Sequence, residues 1–126
     1  MSHIEVIDLF AGPGGLGEGF ASYANYEKFE ICYSVEMDKY ACQTLCGRKA
    51  LLLARRSGDS SFIRTYHERL GASAQSSIEE QLTGAVFREA KKTVISAEMG
   101  TSKGNAMIDA ALDKLIPNDR RVLIGG

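Results

Sequence analysis

Apolar residues open the chain as a dense block: Ile4, Val6, Ile7, Leu9 and Phe10 lie within seven positions, and the block stops at the small-residue cluster AGPGGLG. A β-rich run halted by glycine predicts a buried strand over 4–10 followed by a tight turn. A helix is predicted from about Leu16 through Tyr23. Glu30 to Val35 (EICYSV) reads as a second strand, with Glu36 at its carboxyl end. Asp38 has the position of an N-cap before KYACQTLCGRKALLLARR, where Tyr40, Ala41, Leu45, Ala50, Leu51 and Leu52 support a long helix. This βαβα opening predicts an α/β fold with parallel strands and right-handed crossovers.

The pattern weakens between Ser57 and Gln81, where SGDSS and GASAQSS flank a short helical stretch, FIRTYHERL. This region reads as part of an insertion at the sheet's edge, spanning roughly 57–92. Helical spacing returns from Ile78 to Lys92 through Leu82, Val86 and Ala90. Thr93 to Ser96 is β-branched enough for a third strand, followed by Glu98 and a glycine loop over 100–104. Met107, Ile108, Ala111, Leu112 and Leu115 share one face of a helix predicted over 106–115, ended by Pro117. Val122, Leu123 and Ile124 predict a fourth buried strand. In open α/β sheets the ligand lies beyond the carboxyl ends of the strands, so a functional loop is expected after Gly126, and the sequence reads as the first part of a longer protein.

Composition narrows the class. At 126 residues, 44% hydrophobic and 25% charged, the chain has the size and balance of one ordinary domain. It has no apolar run long enough to span a bilayer and no secretory leader at its start, which predicts a cytoplasmic protein. Three cysteines without a CxxC predict reduced thiols rather than a disulfide framework or a zinc site, so no metal is expected. The net charge of −1 hides an asymmetry: residues 1–47 carry seven acids against two bases, and residues 48–126 carry thirteen bases against nine acids. This offers no concentrated positive face for phosphates, so any contact with DNA must draw most of its affinity from other sequence. Arg48, Lys49, Arg55 and Arg56 read as a solvated basic helix face, and His3 and His67 as isolated.

Gly12, Gly14 and Gly17 match G-x-G-x-x-G between a strand and a helix, and Glu36 stands where a ribose-binding acid belongs. Glycine permits close backbone approach, and the helix start offers unpaired amide donors. A nucleoside-containing cofactor is the economical reading. Asp8 near the strand tip and Glu18 at the helix start make the loop unfavourable for a pyrophosphate. They suit S-adenosylmethionine, whose sulfonium and amino groups are cationic. For Glu18 the favourable helix dipole is a better explanation than ligand contact.

The segment DLFAGPGGLGEGF, from Asp8 to Phe20, strongly resembles the first motif of DNA (cytosine-5) methyltransferases, D-L-F-x-G-x-G-G. YSVEMDKYACQTL, from Tyr33 to Leu45, resembles the second, and RVLIGG is similar to the strand that leads into the family's Pro-Cys loop. The resemblance covers both ends of the chain and leaves 48–92 unmatched. It implies a partial Rossmann-like class I methyltransferase domain, mostly parallel sheet flanked by helices, that binds S-adenosyl-L-methionine. Phe10, Gly12, Gly14, Gly15 and Leu16 then line the methionine side, Glu36 holds the ribose and Met37 lies against adenine. The family commonly has a larger apolar or aromatic residue at position 37; a thioether still makes sulfur and dispersion contacts with a ring. Glu98 is the candidate for the acid beside the adenine amino group, ahead of Asn105 and Asp109.

In this family a thiolate attacks C6 of a flipped cytosine, a Glu assists at N3, and double-stranded DNA is the partner. The attacking Cys belongs to the loop after RVLIGG. Cys32 lies on a predicted strand, and Cys42 and Cys46 on a helix, where apolar packing explains them. The expected protein is therefore the cofactor-binding part of a restriction-modification type methyltransferase, inactive alone and prone to self-association along an exposed sheet edge. Two rivals are a dinucleotide-binding Rossmann domain and a methyltransferase acting on another substrate.

Overall fold

Strand β1, Ile4–Leu9, pairs in parallel with β2, Phe29–Glu36, on one side and with β4, Arg121–Gly125, on the other. The short β3, Val94–Ser96, adds to β2, so the sheet order is β3-β2-β1-β4 with every pair parallel. The structure, a computed structural model, describes residues 3–70 and 84–125. Between the strands lie α1 (Gly15–Ser22), a 3-10 turn (Tyr23–Tyr26), α2 (Lys39–Ser57), α3 (Ser60–Leu70), α4 (Ala85–Lys91) and α5 (Ser102–Leu112). Parallel neighbours require crossovers, and the helices supply them. This is an α/β layered fold of the partial Rossmann-like kind.

Two hydrophobic clusters cover the sheet. Cys46, Ala50, Ala54, Phe62, Phe87 and Ala90 join α2, α3 and α4, with Val94 packed against them. Val35, Ile95, Ala97 and Ile108 form the second cluster beneath α5. Val94 and Ile95 are consecutive on β3, and strand side chains alternate between faces, so the clusters lie on opposite sides of the sheet. Val6 and Val35 are almost fully enclosed. Burying each contributes roughly 1.5–3 kcal/mol. In β2, Cys32 is the extra residue where the pairing steps from Ile31 opposite Val6 to Tyr33 opposite Ile7.

The ends of α2 follow from its sequence. Asp38 caps it by accepting the Ala41 N–H at 2.7 Å, and Gly58 closes it in a left-handed conformation. The predicted helix over 78–92 is described only as Ala85–Lys91; its first part lies outside the described residues. Helix α5 differs from the predicted 106–115: it starts at Ser102, because the Thr101 hydroxyl caps it by accepting the Gly104 N–H at 3.0 Å, and it ends at Leu112. What reads as a glycine loop is the first turn of that helix. The fourth strand forms where expected, but it is not buried. With β1 as its neighbour on one side and none among the described residues on the other, β4 leaves Leu123 64% exposed.

Candidate functional site

The turn after β1 is built from left-handed residues. Phe10, Gly12 and Gly14 have φ of 56°, 57° and 96°. Glycine adopts such angles without strain, whereas Phe10 does so at a cost that marks a constrained site. The backbone twist throws the Phe10 ring outward, 60% exposed. Gly14 is also closely approached: a Cβ there would lie 2.8 Å from Leu45 Cδ2, so the leucine would have to shift. Helix α1 begins directly after it with no side-chain cap, which leaves the Gly15 and Leu16 amides without an intrahelical partner.

Glu36, at the carboxyl end of β2, ties this turn to the neighbouring strand. Its Oε2 accepts the Gly12 N–H at 2.7 Å, and its Oε1 accepts the N–H groups of Met37 at 2.9 Å and Asp38 at 3.0 Å. The Asp38 amide is the largest influence, and with those of Gly12 and Met37 it holds the carboxyl below its ordinary pKa against burial, which is second in size. A charged carboxylate has about four acceptor directions, so Glu36 keeps capacity for one more strong donor. Behind it, the Cys42 thiol donates to the Glu36 carbonyl at 3.3 Å.

A cleft of about 190 Å³ opens at this end of the sheet, lined by Phe10, Val35, Glu36, Met37, Ala97, Glu98 and Met99. The structure thus brings Phe10, Glu36, Met37 and Glu98 together, with Gly12 joined through its N–H. Met99 was not anticipated; its proximity to Glu98 in the loop after β3 is the available signal. The other predicted residues lie around the same turn but face elsewhere. Gly14 packs against α2, while Gly15 and Leu16 open onto a hollow shared with Phe20, Tyr23 and Phe29. Asn105 accepts the Gly100 N–H at 2.9 Å and stabilises the loop after β3, and Asp109 is exposed on α5. The cleft has two acids and no basic residue among its lining side chains.

Asp8 departs from the expectation that it borders the ligand. Only 1% exposed, it turns beneath α1, and a Cβ on Gly17 would lie 2.9 Å from its Oδ2. Leu9 packs toward the α5 cluster, so the alternation of β1 sends Asp8 to the opposite face. No hydrogen bond of good geometry reaches either carboxylate oxygen among the described residues. Burial pushes the carboxyl pKa up, the nearby Gly17 amide pulls it down, and the Glu36 charge adds to the rise. Glu18 also has a specific partner, the Tyr26 hydroxyl, which donates to it at 2.6 Å.

The basic stretch of α2 is not simply solvated. Lys49 pairs with Glu30 Oε1 at 2.7 Å and Arg56 with Oε2 at 2.7 Å, and the two cations also donate to the carbonyls of Ile31 and Tyr26. Burial opposes ionisation of Glu30, but the charges and hydrogen bonds of Lys49 and Arg56 outweigh it and leave the pKa lowered. Cys42 and Cys46 are buried in the helical layer. Half-buried Cys32 has its thiol pKa raised, chiefly by burial, which disfavours a nucleophilic thiolate. Among the described residues no group of three acids, histidines or cysteines could hold a metal ion. No described helix is long and apolar enough to cross a membrane.

A parallel sheet, a left-handed glycine turn at a helix start and a carboxylate at the end of the second strand define a partial Rossmann-like α/β domain. Comparison with known proteins narrows that class. Residues 4–80 match the family described as C-5 cytosine-specific DNA methylase. A type II methyltransferase of Bacillus paralicheniformis is 36% identical over 83 residues, which cover 66% of this chain and 17% of that protein. No solved structure gives a significant match. The chain belongs to the C-5 cytosine-specific DNA methylase family.

Proposed function

We propose that this chain is the S-adenosyl-L-methionine-binding part of a DNA (cytosine-5) methyltransferase. The observation that carries this reading is the cleft itself: a ribose acceptor, Glu36, lies beside apolar Phe10 and Met37, with Glu98 across from it and no cation to receive phosphate. These residues fit the cofactor's chemistry. Glu36 accepts from ribose hydroxyls, Met37 covers the adenine, Glu98 accepts from its amino group, and Phe10 with the backbone N–H groups of Gly15 and Leu16 at the start of α1 serves the methionine end. When bound, S-adenosylmethionine supplies the methyl group.

The substrate of the whole protein is cytosine in double-stranded DNA, in a restriction-modification setting and in the cytoplasm. This chain holds cofactor without transferring methyl. None of its cysteines lines the cleft, and Lys49 and Arg56 spend their charge on Glu30. The edge of β4 that has no neighbour among the described residues lets two copies associate: antiparallel pairing places Leu123 against its counterpart and keeps Arg120 and Arg121 at opposite ends.

Equilibrium dialysis with methyl-labelled S-adenosylmethionine, with and without DNA, tests this reading. Label retained by the protein and absent from the DNA is expected. Absence of retention contradicts the cofactor assignment, and label in DNA contradicts the inactivity.

A further inference from the structure

We infer that Met37 is a peroxide-sensitive modification site that couples cofactor affinity to oxidation. The inference rests on the cofactor reading above. Met37 is 67% exposed, against 40% for Met107 on α5, and Met99 is partly buried. Access of the oxidant to sulfur therefore favours Met37 among the described methionines. Its backbone is held in place, because its N–H donates to Glu36 Oε1 at 2.9 Å, and its side chain forms cleft wall together with Phe10 and Met99.

The chemistry needs hydrogen peroxide as the second reactant. A lone pair on the Met37 sulfur attacks one peroxide oxygen; the S–O bond forms as the O–O bond breaks, the sulfur-bound hydroxyl gives up its proton, and the departing hydroxide takes one up and leaves as water. Sulfur is oxidised by two electrons and the peroxide is reduced by two. The product places a polar sulfoxide in an otherwise apolar wall. Its oxygen, an acceptor, adds to a cleft lining that already holds the Glu36 and Glu98 carboxylates and has no cation among its residues. A planar base loses its apolar contact and meets a negative dipole instead.

The test treats the protein with limiting hydrogen peroxide, restores cysteine sulfenic acids with dithiothreitol, maps the added oxygen by peptide mass spectrometry, and measures S-adenosylhomocysteine affinity by calorimetry. The expected result is oxygen on Met37 first, affinity weakened roughly tenfold, and recovery after methionine sulfoxide reductase. Met37→Leu, whatever its own affinity, keeps that affinity through peroxide treatment, while Met107→Leu responds as the unmodified protein does. Oxidation of Met37 without a change in affinity, or a Met37→Leu protein that still loses affinity, overturns the inference and leaves the cofactor reading standing. Failure of the untreated protein to bind S-adenosylhomocysteine overturns both.

Discussion

Glu36 Oε2 accepts the N–H of Gly12 at 2.7 Å across 24 positions of sequence, so the acid at the end of one strand holds the glycine turn at the end of its neighbour. The two halves of the cleft are therefore mechanically one unit. Replacing Glu36 with Ala removes both the proposed ribose acceptor and this tie. Calorimetry is expected to show S-adenosylhomocysteine binding weakened by roughly 1 to 3 kcal/mol. Because the folded-state pKa of Glu36 is lowered, its contribution to stability is present above the ordinary carboxylate range and disappears as pH falls through the lowered value. Unchanged affinity removes Glu36 from the site.

Asp8 makes the opposite prediction. Its pKa is raised by burial, so its contribution favours the folded state below the ordinary carboxylate range and is lost as pH rises through the raised value. Asp8→Asn keeps the shape and removes the charge. Thermal unfolding across pH is expected to show the variant more stable than the original at neutral pH, with the gap closing in acid. A variant less stable at neutral pH shows that the ionised carboxylate is stabilising.

Gly104 anchors the loop that presents Glu98. A Cβ at this position would lie 1.9 Å from the Glu98 carbonyl oxygen, too close for any side chain without backbone movement. Gly104→Ala is expected to cost about 2 to 3 kcal/mol in urea unfolding and to weaken S-adenosylhomocysteine binding through the displaced loop. Full stability in the variant contradicts the packing described.

At the outer edge of the sheet, Leu123→Lys places like charges opposite one another in any two-fold pairing of β4. Sedimentation analysis is expected to show concentration-dependent association of the original chain and a monomer for the variant. A monomeric original, or an associating variant, rules out the β4 edge as the contact.

Much of this arrangement is legible in the residues. The apolar block before AGPGGLG, the Asp38 cap and the alternation of EICYSV locate β1, α1, β2 and α2, because each is a local signal with a local cause. What escapes is non-local. Glu30 meets Lys49 and Arg56 from 19 and 26 positions away, so a helix face that reads as solvated is partly neutralised. The direction of Asp8 depends on which face of β1 the helices α1 and α2 cover, a matter of crossover handedness rather than of its neighbours in sequence. Gly104 reads as a loop residue, although it is glycine because the start of α5 presses on the Glu98 carbonyl. The outward swing of Phe10 comes from a positive φ that its residue type disfavours.

The central claim is that the cleft between Phe10, Glu36, Met37 and Glu98 receives an S-adenosyl compound and not a diphosphate-bearing one. Parallel calorimetric titrations with S-adenosylhomocysteine and NAD test it most directly. The account predicts saturable binding of one S-adenosylhomocysteine per chain and no response to NAD; tight NAD binding with no response to S-adenosylhomocysteine would contradict it.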